Sequence, residues 1–487
     1  MKVICLRFDR DGLIVFIIAF CYVSVLSSLS FIYGSYYPLD STIYQIIGKG
    51  WTEGRIPYID LWDQKGPLLY SIQALGYAMT GNRYGLFFIE ICIFAVSFSQ
   101  LLSFYRHHFS YRVSYLLLFV TICHLSQLTA SGNTIEEYIL PLLLPAFFFL
   151  FSWVEKASTE AQVSHPWKWA FLYGLILAFS FLTRATNAVG ICIAACIVFC
   201  YLVSRGEWKN ILKNTLAFFG GVIVLLAPFV IYFYCTDALE EMFYATILYN
   251  IDYTSNVFHE GSSWYTVISF LLSYLNTYGL ILIALILFAI DREYRFSHFM
   301  WFAISLVTMA YFMRTFLYEH YAIISVPYFA IMLIELKRLM FLLSKKWQRK
   351  ATACTCLAAC IVLVANGAYQ VFQEIPNMNQ PSKYAFSFDK IMEDEKINKE
   401  DFLCYNLHPS VYMHYDMTPS CRFFALQDWY SQFSESVRPR IRKSFELSMP
   451  KYILVKGQNT VIDELLKAKY SPLKETDMGV LYRRNIE

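Results

Sequence analysis

Asp40, Asp60, Asp63 and Lys65 fall within one stretch, YYPLDSTIYQIIGKGWTEGRIPYIDLWDQKGPLLY (residues 36–70), that follows the first long apolar run of the chain. Further along, Glu136 and Glu137 open another apolar run, and Arg184, Arg314 and His320 stand at the ends of others. A carboxylate can collect a proton from a hydroxyl held ~2.6 to 3.2 Å away, and cations can grip an anion and stabilise charge as it builds. Asp40, Asp60, Asp63 and Glu137 are also hard oxygen ligands, so a divalent metal is possible; no His or Cys spacing of the zinc type occurs. Each residue also has a plainer reading. Asp40 precedes a helical pattern and could cap it, Glu136 and Glu137 suit a helix N-terminus, the arginines could snorkel, and His320 between Tyr318 and Tyr321 could belong to an aromatic belt.

What positions these groups is a membrane-embedded scaffold. The 487 residues are 57% hydrophobic and only 16% charged, too little polar surface for a soluble body of this size, so the excess must face lipid. Eleven runs are long and apolar enough to count as spans of ~20 residues: 13–33, 85–105, 113–130, 138–154, 169–183, 187–204, 215–234, 274–290, 297–313, 321–336 and 352–369. The region 264–290 is the loosest, because Trp264 to Tyr274 also reads as an interfacial helix. The first run follows Lys2, Arg7 and Arg10 but exceeds a signal h-region, so it reads as a retained span.

With the N-terminus inside, inner connections hold eighteen Lys and Arg and outer ones six, so the positive-inside rule selects N-in and C-out. All the acidic loop residues named above then share the outer side. Nucleic acid is not an expected partner, for no basic block interleaved with aromatics occurs. Glu90, inside the second run, is an intramembrane carboxylate and a functional candidate for that reason alone. Most cysteines lie in apolar runs as small hydrophobes; Cys404 and Cys421, in the polar tail, are the pair that could bridge in an oxidising compartment.

Residues 1–370 thus read as a transmembrane domain with a long first outer loop, 34–84, and residues 371–487 as a small outer α/β domain. In the loop, Ile43, Ile46, Ile47 and Trp51 recur at helical spacing opposite Ser41, Gln45, Lys49 and Glu53, which predicts an amphipathic helix in the membrane surface. A second helix is expected from Pro67 to Gly81. In the tail, 402–406, 451–455 and 479–484 read as strands, and 436–447 and 460–469 as helices.

Several of these residues resemble those of a known family. An aspartate just after the first span, the GRIPYIDLWDQKGPLLY segment, acidic residues in the second outer loop, an arginine in TRATN, a YEHY segment before a late span and an outer C-terminal domain together resemble the GT-C glycosyltransferases. The likeness is closest to the protein O-mannosyltransferase and aminoarabinose transferase branch, family 39, and covers roughly residues 1–370. It implies a mainly α, polytopic GT-C membrane fold of about eleven transmembrane helices in the inner or plasma membrane. It implies transfer, with inversion, of a hexosyl or pentosyl group from a polyprenyl-phosphate donor to an outer acceptor, whether lipid, surface polysaccharide or protein. Asp40 would be the base, with Glu136 or Glu137 beside the acceptor or a metal; Lys65, Arg184, Arg314 and His320 would bind the donor phosphate, with Asp60 and Asp63 in support. The segment departs from the family's pattern where Gln64 separates Asp63 from Lys65. Two rival functions share the composition: a flippase for lipid-linked sugars, and a non-catalytic subunit of a glycan assembly machine. Against passage, the polar residues gather on one face, and no inverted pair of broken helices occurs.

Overall fold

The computed structural model describes residues 10–160, 163–255, 272–313, 318–343, 345–378, 385–398, 401–457 and 460–485. Every one of the eleven apolar runs is helical. The helices are Arg10–Leu26, Tyr84–His108, Tyr111–Leu128, Ile135–Thr159, Trp167–Phe181, Val189–Ser204, Trp208–Cys235, Leu275–Ile290, Arg295–Phe312, Val326–Leu342 and Lys346–Glu374. Six helical stretches are long and apolar enough to cross a membrane, and shorter apolar helices accompany them. The expected interfacial helix 264–274 lies largely outside the described residues.

The chain divides into two compact units. The larger comprises residues 1–27, 89–228 and 259–375, the smaller residues 28–88, 229–258 and 376–487. Helices of the larger unit pack through aromatic and small side chains, as where Phe104 stacks on Phe148 with ring centres 3.7 Å apart. Gly174 meets Phe218 so closely that a Cβ would lie 1.9 Å from its carbonyl oxygen, the use that membrane helix pairs make of small residues.

In the smaller unit, the loop between the first two apolar runs, the described part of the segment 229–258 and the tail form one packed body. Its core is Trp62, 1% exposed, with ring centres 4.8 to 5.2 Å from Phe423, Tyr430 and Tyr249. The helices Leu39–Thr52 and Pro67–Thr80 lie so close that a Cβ on Gly48 would sit 2.3 Å from that of Gln73. The first of them differs from the surface helix its pattern suggests. Ser41 and Gln45, on its polar face, are 3% and 1% exposed, and Gln45 Oε1 accepts a 3.2 Å hydrogen bond from Tyr77. Lys49 pairs with Asp416 of the tail. Protein polar groups replace water along that face, so the helix is buried nearly all round.

The tail carries a four-stranded sheet ordered β1–β2–β4–β3, with β1 Phe402–Tyr405, β2 Tyr452–Val455, β3 Tyr470–Thr476 and β4 Gly479–Arg484; β1 and β2 are parallel and the other neighbours antiparallel. Helices at Val437–Ser448 and Asp463–Lys469 match the sequence pattern. Edge strand β3, mostly exposed and holding Pro472, has no apolar alternation to announce it.

Cys404 and Cys421 are both free, buried thiols. Burial pushes the Cys404 thiol far up, and burial pushes that of Cys421 up to about 11 although Ser444 bonds to it. Since the thiolate is the nucleophile, iodoacetamide at neutral pH is expected to leave both unmodified in the folded protein and to modify both after unfolding. Mass spectrometry of the tail peptides checks this.

Candidate functional site

Asp40 lies in the first turn of the helix Leu39–Thr52, where Pro38 is the cap and no side chain caps the helix. Its carboxylate is exposed and enters no hydrogen bond or ion pair among the described residues. Capping therefore does not account for it. The helix N-terminus stabilises negative charge there, and Asp40 is close enough to Tyr430 for its charge to act on that phenol.

Tyr430 leads to Asp63. This carboxylate is 3% exposed and accepts hydrogen bonds from Tyr70 at 2.7 Å and Tyr430 at 2.8 Å. Burial and the Asp63 charge hold both phenols well above the ordinary tyrosine range, so each remains a donor. Asp60 is likewise engaged, accepting at 2.7 Å from the amide of Ile56. Both aspartates shape the loop.

Lys65 follows directly. Its carbonyl accepts from Tyr58 at 2.7 Å and its amide donates to Tyr70 at 3.2 Å, so two buried tyrosines fix its backbone. The half-buried side chain has no carboxylate partner among the described residues. A pinned ammonium without a counter-ion is suited to an anionic ligand.

In the larger unit, Glu136 Oε1 accepts from Arg184 Nη1 at 2.8 Å, with the Glu136 side chain 2% exposed and that of Arg184 16%. The guanidinium carbon lies 3.3 Å from the ring centre of Tyr321. Tyr321 in turn meets His320 edge-on at 4.7 Å, and His320 stacks on Tyr318 at 5.6 Å. Glu136, Arg184 and His320 thus form one cluster around Tyr321. Arg314 lies outside the described residues.

Glu137 serves the start of its helix. Its Oε2 accepts from the Thr134 amide at 3.0 Å, as half of a capping box, and its carboxyl lies beside that of Glu90. Glu90 accepts at 3.0 Å from the Asn133 amide. These bonds hold Ser131, Gly132 and Asn133, three consecutive residues with φ of 62°, 73° and 57°. Sequence flagged Glu90 but not its partners, 43 residues away in the case of Asn133. A Cβ on Gly132 would lie 2.3 Å from Ser27 Oγ and 2.8 Å from Glu90 Oε1. Gly132→Ala is expected to destabilise the protein by about 1–3 kcal/mol, read as a lowered thermal unfolding midpoint in detergent.

Among the described residues, no three His, Cys, Asp or Glu side chains come together in a metal-binding group.

No protein-family model and no curated protein sequence matches the chain. Among solved structures, it is similar to ArnT from Cupriavidus metallidurans, crystallised bound to undecaprenyl phosphate. The match covers 97% of this chain and 98% of that one, at 11% identity and a TM-score of 0.58. The chain therefore shares the overall fold of that protein, a GT-C fold.

Proposed function

We propose that the protein is an integral-membrane glycosyltransferase that moves a sugar from a polyprenyl-phosphate donor to an extracytoplasmic acceptor, with inversion at the anomeric carbon. The observation that carries this reading is the pairing of functions in one loop: an unengaged, exposed carboxylate at Asp40 and a backbone-pinned, unpaired ammonium at Lys65. The shared fold supports the choice of donor, since the ArnT structure holds undecaprenyl phosphate.

In this scheme Asp40 takes the proton of an acceptor hydroxyl as its oxygen attacks the anomeric carbon. The bond to the donor phosphate breaks on the opposite face, and the polyprenyl phosphate departs as an anion that needs no general acid. Lys65 stabilises the charge growing on that phosphate. Glu137 is assigned to the helix start, because its carboxylate accepts from the Thr134 amide in a capping box.

The test is transfer by purified protein in sealed vesicles carrying a polyprenyl-phosphate sugar in the outward leaflet. Product of inverted anomeric configuration, with release of polyprenyl phosphate and no movement of donor across the bilayer, is expected. Movement of donor without transfer would overturn the reading.

A further inference from the structure

A cavity lined by both charged and apolar side chains lies in the larger unit, away from the residues discussed so far. It has a volume of about 760 Å³ and is lined by the ends of three helices and the segment before a fourth, among them Ser103, Arg106, His107, Ser152, Trp153 and Lys156. Lys156 and Glu136 belong to the same helix, Ile135–Thr159. Twenty residues of helix separate them by about 30 Å, so this cavity and the Glu136–Arg184 cluster stand at opposite ends of one span. The positive-inside count places the Lys156 end in the cytoplasm.

Arg106 is held rigidly. Its Nη1 donates to Asp11 at 2.5 Å, and its guanidinium carbon lies 4.6 Å from the ring centre of Tyr111. Asp11 also accepts from Tyr115 at 2.8 Å and Tyr111 at 3.2 Å. Arg106 Nε and Nη2 have no acceptor among the described residues, and these two nitrogens are the fork that binds phosphate oxygens side by side. Lys156 is exposed and has no carboxylate partner among the described residues. Among the described lining residues Asp11 is the one carboxylate, set against Arg106, Lys156 and His107.

The remaining wall is apolar, with Phe149 and Trp153. Two of the lining helices, Tyr84–His108 and Ile135–Thr159, are long and apolar enough to span the bilayer, which sets their charged ends at headgroup depth. A soluble phosphate ester would use the cations but not the aromatic wall. A lipid uses both, and basic pockets between helix ends on the cytoplasmic side suit anionic headgroups.

We propose that this cavity binds the phosphate headgroup of an anionic glycerophospholipid of the cytoplasmic leaflet. The proposal is independent of sugar transfer. The test is native mass spectrometry of the full-length protein in neutral detergent, titrated separately with phosphatidylglycerol, phosphatidylcholine, inorganic phosphate and undecaprenyl phosphate. Phosphatidylglycerol is expected to bind in preference to phosphatidylcholine, on the order of fivefold more weakly to Lys156→Gln and more weakly still to Arg106→Gln/Lys156→Gln. Equal binding of phosphatidylglycerol by wild type and both variants would overturn the proposal, as would equal retention of phosphatidylcholine. Variant-sensitive binding of inorganic phosphate or undecaprenyl phosphate, without phosphatidylglycerol, would assign the cavity to that source and overturn it too. Should the double variant fail to fold, Lys156→Gln alone decides, because its side chain is exposed and unpaired.

Discussion

Asp40→Asn is expected to lower the turnover of sugar transfer about 10²- to 10⁴-fold, the range a positioned general base contributes, while the donor lipid stays bound. Asparagine keeps the shape of the side chain and its place in the first helical turn but cannot take up a proton. Because the Asp40 carboxylate is exposed and caps nothing, the thermal midpoint should barely move; a surface change of this kind lies within about 0.5 kcal/mol. Turnover, midpoint and copurifying polyprenyl phosphate are measured on one preparation. Wild-type turnover in a D40N protein would remove Asp40 from the reaction, and a non-catalytic subunit would show no turnover with either residue.

Arg184→Ala is expected to act on the fold first. It strands the carboxylate of Glu136, whose side chain is only 2% exposed, and removal of one partner of a buried pair destabilises by about 3–5 kcal/mol. It also removes the cation stacked on Tyr321. The Glu136→Gln/Arg184→Gln double variant should recover most of the lost stability, since neither charge is left alone. Thermal unfolding of the single and double variants gives the coupling between the two sites. A midpoint for Arg184→Ala equal to wild type would show that the pair contributes nothing to the fold.

The helical scaffold was legible because lipid imposes a simple demand: a span must be long and apolar, and every backbone group must bond within its own helix. Each of the eleven runs accordingly became a helix. In the tail, the buried strands Phe402–Tyr405 and Tyr452–Val455 announced themselves through apolar runs, whereas Tyr470–Thr476, mostly exposed along its length, left no such trace. Asp40 and Lys65 drew attention through their place between the first two apolar runs and through the family resemblance, and they carry the proposed reaction. What sequence could not supply was partnership. The polar face of the helix Leu39–Thr52 reads as solvated until Tyr77 and Asp416 are found against it. Arg184 and Glu136 meet across 48 residues, and nothing local to either distinguishes that pair from an interfacial arginine and a helix-opening glutamate. Glu136 and Glu137 are adjacent and chemically alike, and only their different partners separate them.

The bond between Asp63 and Tyr430 joins residues 367 apart in the chain. At a synthesis rate of 5–20 residues per second, Asp63 leaves the ribosome roughly 20 to 70 seconds before its phenol partner exists. The loop bearing Asp40 and Lys65 must therefore stay unfinished until nearly the whole polypeptide has followed. A nascent chain stalled before its last sixty residues carries the helices of all eleven apolar runs but lacks the tyrosine that closes this loop, so premature termination leaves Asp63 with only one of its two phenol donors.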